Sequence, residues 1–150
     1  MARAIELALE NVRSGRGGPF AALIVEGDRI VASGTNLVTS SNDPTAHAEI
    51  VAIRSACAAL QSFVLARCEI YATCEPCPMC LGAIYWSRLR AVWYGCSAAD
   101  AAEAGFDDAF IYRQIATAPA ERTIPFRSLM RDQALGCFRE WQRCDKKIPY

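Results

Sequence analysis

One imidazole and two nearby thiols constrain this chain more than anything else in it. His47 is the only histidine among 150 residues and stands two before Glu49; after a gap of twenty-six residues comes Pro76-Cys77-Pro78-Met79-Cys80. Cys77 and Cys80, three apart at an expected helix start, present both thiols on one face and form a two-toothed corner for a metal. His47, at the start of another expected helix, supplies a third ligand. Three protein ligands leave one position of a tetrahedral zinc for water, the arrangement of a catalytic site, whereas a structural site closes all four. Helix N-termini also favour the thiolate form that zinc requires. Glu49 then reads as the proton shuttle beside the ion, outside its ligand shell, because a water activated near neutral pH must lose a proton and a leaving amine must gain one.

Blander readings exist for each residue. A CxxC pair alone fits a redox couple as well as a metal corner; the lone histidine, the adjacent glutamate and the flanking prolines favour the metal. Cys57, Cys68, Cys96, Cys137 and Cys144 read as small core or surface residues. Cys74, three before Cys77, leaves a four-ligand structural site open, although its place at a strand end before Pro76 suits a pocket wall.

Around the motif, strands and helices alternate. Ala2–Arg13 has helical spacing of Ile5, Leu9 and Val12 and is stopped by Gly15 to Pro19. Phe20–Val25 and Arg29–Thr35, joined through Gly27, predict a hairpin. His47–Leu60 predicts a second helix, Glu69–Thr73 a strand, Cys77–Ser87 a helix and Ala91–Gly95 a fourth strand. Beyond them Ala98–Gly105, Ala109–Ala116 and Leu135–Lys146 read as helical. Such alternation implies parallel pairing with helices on the sheet, mixed by the opening hairpin.

Composition bounds what such a domain can do. With 53% hydrophobic and 21% charged residues, the chain has enough apolar material for one core, which excludes disorder as the main state. Sixteen basic residues balance sixteen acidic ones, which argues against a nucleic-acid partner held through many phosphates. The uncharged run Ser55–Ala66 is broken by Gln61 and two serines and falls short of the roughly 18 apolar residues of a membrane span, so no membrane partner is expected. Arg3 and Glu6 near the start leave no apolar leader segment. The expected setting is therefore the cytoplasm, and the eight cysteines are expected as reduced thiols or metal ligands.

The H-x-E and P-C-x-x-C pairing matches the signature of zinc deaminases that act on nucleobases. Over nearly its whole length the chain resembles the cytidine and deoxycytidylate deaminase-like superfamily. Four blocks narrow the likeness to bacterial guanine deaminases: Gly17-Gly18-Pro19-Phe20, Ser41 to Glu49, Thr73 to Trp86, and Ala104-Gly105-Phe106-Asp107-Asp108. The first three occur in looser form in tRNA adenosine deaminases, so the Phe106-Asp107-Asp108 block and the Tyr150 end discriminate.

This resemblance implies a three-layer α/β fold, with a mixed five-stranded sheet flanked by helices, in a single domain spanning residues 1–150. It implies one zinc ion per chain on His47, Cys77 and Cys80, with Glu49 as the shuttle. It further implies substrate contacts from Asn36, Asp108, Phe20, Ala48 and Tyr150, and a homodimer with exchanged C-terminal segments. The implied reaction is hydrolytic deamination of guanine to xanthine and ammonia. Two alternatives stay open: deamination of another amino-heterocycle, such as ammeline or adenosine in tRNA, and a zinc-stabilised binding module without turnover.

Overall fold

A computed structural model describes all 150 residues. It divides into two compact units, Met1–Asp108 and Ala109–Tyr150. The first begins with α1 (Ala2–Arg13) and then the hairpin β1 (Ala21–Glu26) and β2 (Arg29–Thr35). Gly27, at the first of the two loop positions, has φ of 59°, a value glycine adopts without penalty. A short helix α2 (Val38–Ser41) follows, for which the sequence reading named no element, and then α3 (Ala48–Leu60), β3 (Glu69–Cys74), α4 (Pro78–Trp86), β4 (Ala91–Cys96) and α5 (Ala98–Glu103).

The strands form one mixed sheet in the order β2-β1-β3-β4. β1 runs antiparallel to both neighbours, while β3 and β4, joined through α4, are parallel. The expected mixed sheet with flanking helices is present, but it has four strands, not five. After β4 the chain turns at Ser97, whose side chain and that of Asp100 form a reciprocal cap that starts α5. Downstream, residues 117–130 hold only a short 3-10 turn and no strand, and Pro119 and Pro125 within them have no N–H to give a ladder.

The core explains how the site is placed. Ala22, Ile24, Ile70 and Ala72 from the two central strands pack with Ala48, Ala52, Ile53 and Ala56 of α3. The alanines recur every four residues and form a smooth stripe facing β2. Gly34 of β2 completes the fit: a Cβ there would lie 2.3 Å from the Ala48 carbonyl oxygen and 2.5 Å from the Ala52 nitrogen. Backbone therefore meets backbone, and the start of α3 is pressed onto the end of β2. In α1 the buried residues are Ala4, Ala8 and Asn11, while Ile5, Leu9 and Val12 stay about half exposed.

The second unit comprises α6 (Ala109–Ala116), a 3-10 turn (Pro119–Glu121) and α7 (Arg131–Arg143), the last starting four residues earlier than its sequence pattern suggests. None of its residues is buried, and Phe110, Ile115, Phe138 and Trp141 are exposed. No helix in either unit is long and apolar enough to cross a membrane.

Gly34→Ala tests the backbone contact. With no flexible side chain available to yield, we expect a loss of about 2–3 kcal/mol and a thermal midpoint lower by about 5–10 °C. An unchanged midpoint would show that α3 can retreat at no cost.

Candidate metal centre and active site

Two helix starts build the centre. His47 is the N-cap of α3 and Cys77 the N-cap of α4; both are in extended conformation, with Pro78 opening α4 and Cys80 one turn in. The His47 Nδ1 lies 3.5 Å from the Cys77 Sγ and 3.6 Å from the Cys80 Sγ. All three ligand atoms fall within 4.8 Å of one another. Zinc bonds of about 2.0–2.1 Å to nitrogen and 2.3 Å to sulfur, set at the tetrahedral angle, separate the donor atoms by about 3.6 Å. The donor set and its spacing therefore fit zinc.

Glu49 is not one of the three grouped ligands. Its carboxyl is buried, and burial, more than any neighbour, raises its pKa above the ordinary glutamate value. It also sits within hydrogen-bond reach of the Cys80 thiol. The pKa of the Cys77 thiol is lowered to about 4, first by a hydrogen bond from Cys80 and, against the opposing cost of burial, by His47 as well. Cys80 is driven the other way, because it holds the shared proton against the Cys77 thiolate in a buried place. His47 is raised from its usual value chiefly by its hydrogen bond to Cys77. These groups share protons where a divalent cation would replace them.

Cys74 does not join them. Its buried thiol donates to the Ser97 carbonyl at 3.5 Å, and burial pushes it up to about 11. The closed shell of three cysteines and one histidine is thus not formed. The other five cysteines, like all eight, are free of disulfides.

The expected substrate residues of the first unit are linked to one another and to the chain beside His47. Asn36 is buried, its Oδ1 accepts from the Val38 N–H at 3.3 Å, and its own backbone N–H donates to the Phe20 carbonyl at 3.0 Å. The Leu37 N–H donates to the Ala46 carbonyl at 2.9 Å, tying this segment to the chain just ahead of His47. The Phe20 ring meets Phe106 edge-to-face, with centroids 4.9 Å apart. That contact anchors the segment carrying Asp108, whose carboxyl is raised first by burial and then by the Cys77 charge. Ala48 is buried beside His47. Tyr150 is exposed at the end of the second unit.

Three contributors escaped the sequence reading as site residues. Phe106 was visible only as part of a block; Glu75, whose Oε2 accepts from the Ala98 N–H at 3.1 Å, fastens α5 to the loop before Cys77; Asn11 donates from α1 to the Gly18 and Asn36 carbonyls. Each acts through a tertiary contact that no local spacing encodes.

A zinc-dependent deaminase is the class that this fold and site define. Residues 1–96 match the cytidine and deoxycytidylate deaminase zinc-binding region, and the chain belongs to that family. It is 53% identical to the guanine deaminase of Bacillus subtilis over 99% of this chain and 95% of that protein. The X-ray structure of the Bacillus enzyme superposes with a TM-score of 0.97 at the same coverage. A guanine deaminase structure from Nitrosomonas europaea is 32% identical, with a TM-score of 0.68 over 95% of this chain and 82% of that one. The tRNA-specific adenosine deaminase of Agrobacterium fabrum is 43% identical over only 61% of this chain and 62% of its own.

Metal content separates the two sulfur roles. Cys80→Ser should abolish stoichiometric zinc, whereas Cys74→Ser should keep one ion per chain by elemental analysis. Adding zinc to metal-free protein near pH 7 should also release about one to two protons, from Cys80 and partly from His47, as measured calorimetrically in buffers of different ionisation enthalpy. Equal zinc loss in both variants would place Cys74 in the ligand set.

Proposed function

We propose that this protein is a guanine aminohydrolase that uses one zinc ion per chain to convert guanine to xanthine and ammonia. The observation that carries the reading is the His47, Cys77 and Cys80 triangle with Glu49 buried beside it and outside it. Choice of base is supported by the extent of the likeness: the Bacillus relative matches 99% of the chain, the tRNA enzyme 61%. Equal numbers of acidic and basic residues also suit a free base better than a polyanion.

Bound zinc would lower the pKa of a water beside Glu49 toward neutrality. Glu49 takes that water's proton and hands it to ring N3 as the water oxygen adds to C2; it then takes the proton of the new C2 hydroxyl and gives it to the amine, which leaves as ammonia while the C2 carbonyl forms. Burial, which raises its pKa, suits a group that must both accept and return a proton. With Oδ1 occupied by the Val38 N–H, Asn36 offers Nδ2 as a donor to the acceptor edge of the purine, O6 or N7. Asp108 contributes an acceptor for a ring N–H, and the Phe20 ring, backed by Phe106, covers the base.

We assign Tyr150 to closing the site, in a homodimer whose C-terminal segments are exchanged so that residues 1–150 act as one deaminase domain. Support comes from Ala109–Tyr150 itself, a unit with no buried residue and several exposed large apolar side chains. The cytoplasm suits the reading, since Cys77 and Cys80 must stay reduced to bind metal.

Ammonia release from guanine, adenine, cytosine, cytidine and ammeline should be measured in parallel, with guanine expected to lead. Glu49→Ala should keep its zinc and lose about 10²- to 10⁴-fold in turnover. A zinc-loaded protein inert toward guanine refutes the substrate, and near-normal turnover in Glu49→Ala refutes the shuttle. For the exchange, a Glu49→Ala chain co-expressed with a chain lacking Tyr150 should regain one competent site per dimer. No recovery over the separate variants would assign Tyr150 to its own chain's site or to none.

A further inference from the structure

We infer that Asn11, on α1 and remote in sequence from the metal motif, is the positioning residue of the substrate pocket, clamping Asn36 and the Gly17–Phe20 loop together. The inference rests on the function proposed above for its choice of pocket. Asn11 is 0% exposed. Its Nδ2 donates to the Asn36 carbonyl at 2.9 Å and to the Gly18 carbonyl at 3.0 Å. One amide thus holds the backbone of the residue that offers a donor to the base and the backbone two residues before the ring that covers it.

The loop leaves no slack around the clamp. A Cβ on Gly17 would lie 2.1 Å from the Asn36 carbonyl oxygen and 3.1 Å from the Asn11 Nδ2. Gly18 is less confined, since a Cβ there would meet the Phe20 ring at 3.4 Å and the Asn36 Cγ at 3.7 Å in ordinary contact, so the tight approach is at Gly17. Asn11 does this against local preference. Asparagine is a poor helix former, and the Asn11 Oδ1 is buried without a partner, which is costly. An apolar residue would serve α1 packing better, as Ala4 and Ala8 do on the same buried face. A residue that breaks the local rule and fastens two pocket segments is explained by the pocket.

Because the clamp holds groups that touch the base and none that touch the metal, its loss should weaken binding and leave the chemical step largely intact. That is a rise in KM with kcat preserved. For Asn11→Ala and Asn11→Asp we expect KM to rise about 10-fold or more, since loops no longer held in place must be ordered afresh each time the base binds. kcat per bound zinc should stay within about threefold of wild type, and zinc content should be unchanged.

Asn11→Asp adds a readout that packing alone would not move. Its ionised carboxylate has no donor, whereas the protonated acid has one. The KM ratio of this variant to wild type should therefore shrink as pH falls from about 8 to about 6, burial having raised the new acid's pKa. The Asn11→Ala ratio should stay flat. Gly17→Ala, which forces the same contact from the loop side, should raise KM likewise and carries the test if an Asn11 variant does not fold. A lowered thermal midpoint with KM within about twofold of wild type, read well below that midpoint, would reduce Asn11 to a fold-stabilising residue and overturn the inference. All ratios are taken on whichever aminated base the wild type turns over best, so failure with guanine would count against the substrate and still leave the clamp tested.

Discussion

Everything in the first unit serves the meeting of two helix N-termini at one point. His47 and Cys77 each occupy the residue where an extended chain turns into a helix, and Cys80 lies one turn further on. The exposed N–H groups and partial positive charge of those termini favour the thiolate at Cys77, before any cation arrives. The same geometry makes the site intolerant of drift, because an imidazole and two sulfurs must stay about 3.6 Å apart to share one tetrahedral ion. That tolerance is met by packing α3 on the sheet through alanine and glycine, with no long side chain to compress between them. A core of larger residues would bury more surface, but it would push the start of α3 away from α4.

The electrostatics follow from that crowding. Two thiols and an imidazole, partly buried and in contact, cannot all hold their ordinary protons, so Cys77 gives up its proton easily while Cys80 keeps one tenaciously. A divalent cation resolves the conflict by supplying the positive charge for which the thiolate and the neighbouring carboxylates compete. Glu49, pressed against the same cluster yet outside it, is left with a raised pKa and nothing to coordinate, which is the condition a proton carrier needs. Asp108 feels the Cys77 charge as well, so the base-binding side and the metal side share one field.

The metal half of the site was legible in the sequence because its ligands sit at helix starts, where spacing, prolines and caps are local signals. Alternation of apolar runs likewise gave four strands and most helices within a few residues. The fifth strand, expected from resemblance and not from residue pattern, is absent, and the prolines of the following segment give the reason. In α1 the spacing marked the helix but not its buried face: Ile5, Leu9 and Val12 keep the helical period, yet Ala4, Ala8 and Asn11 are what α1 buries. Periodicity reveals that a stripe exists, but the close approach of a neighbouring loop decides whether large or small residues can lie beneath it. Cys74 shows the same limit from the other side, since its distance in sequence from Cys77 suited a ligand while the strand carried its thiol toward Ser97.

The half we propose to bind the base was legible only through resemblance, and the difference is physical. Asn36, Phe20 and Asp108 sit on three separate stretches between regular elements, positioned by contacts that join distant parts of the chain: a backbone bond between Asn36 and Phe20, an edge-to-face pair of Phe20 with Phe106, and the Asn11 amide behind them. Loops held in this way can change which ring they admit without disturbing the helix caps that hold the cation. That separation accounts for the pattern of likeness. The part that carries the metal, residues 1–96, matches the general family, whereas the full-length match, which takes in the loop bearing Phe106 and Asp108, is to enzymes acting on a free purine base. On the reading proposed here, how firmly those loops are tied to the scaffold bears directly on how well they hold a base. A single buried amide, badly suited to its helix, is a small structural feature through which that tie can be made.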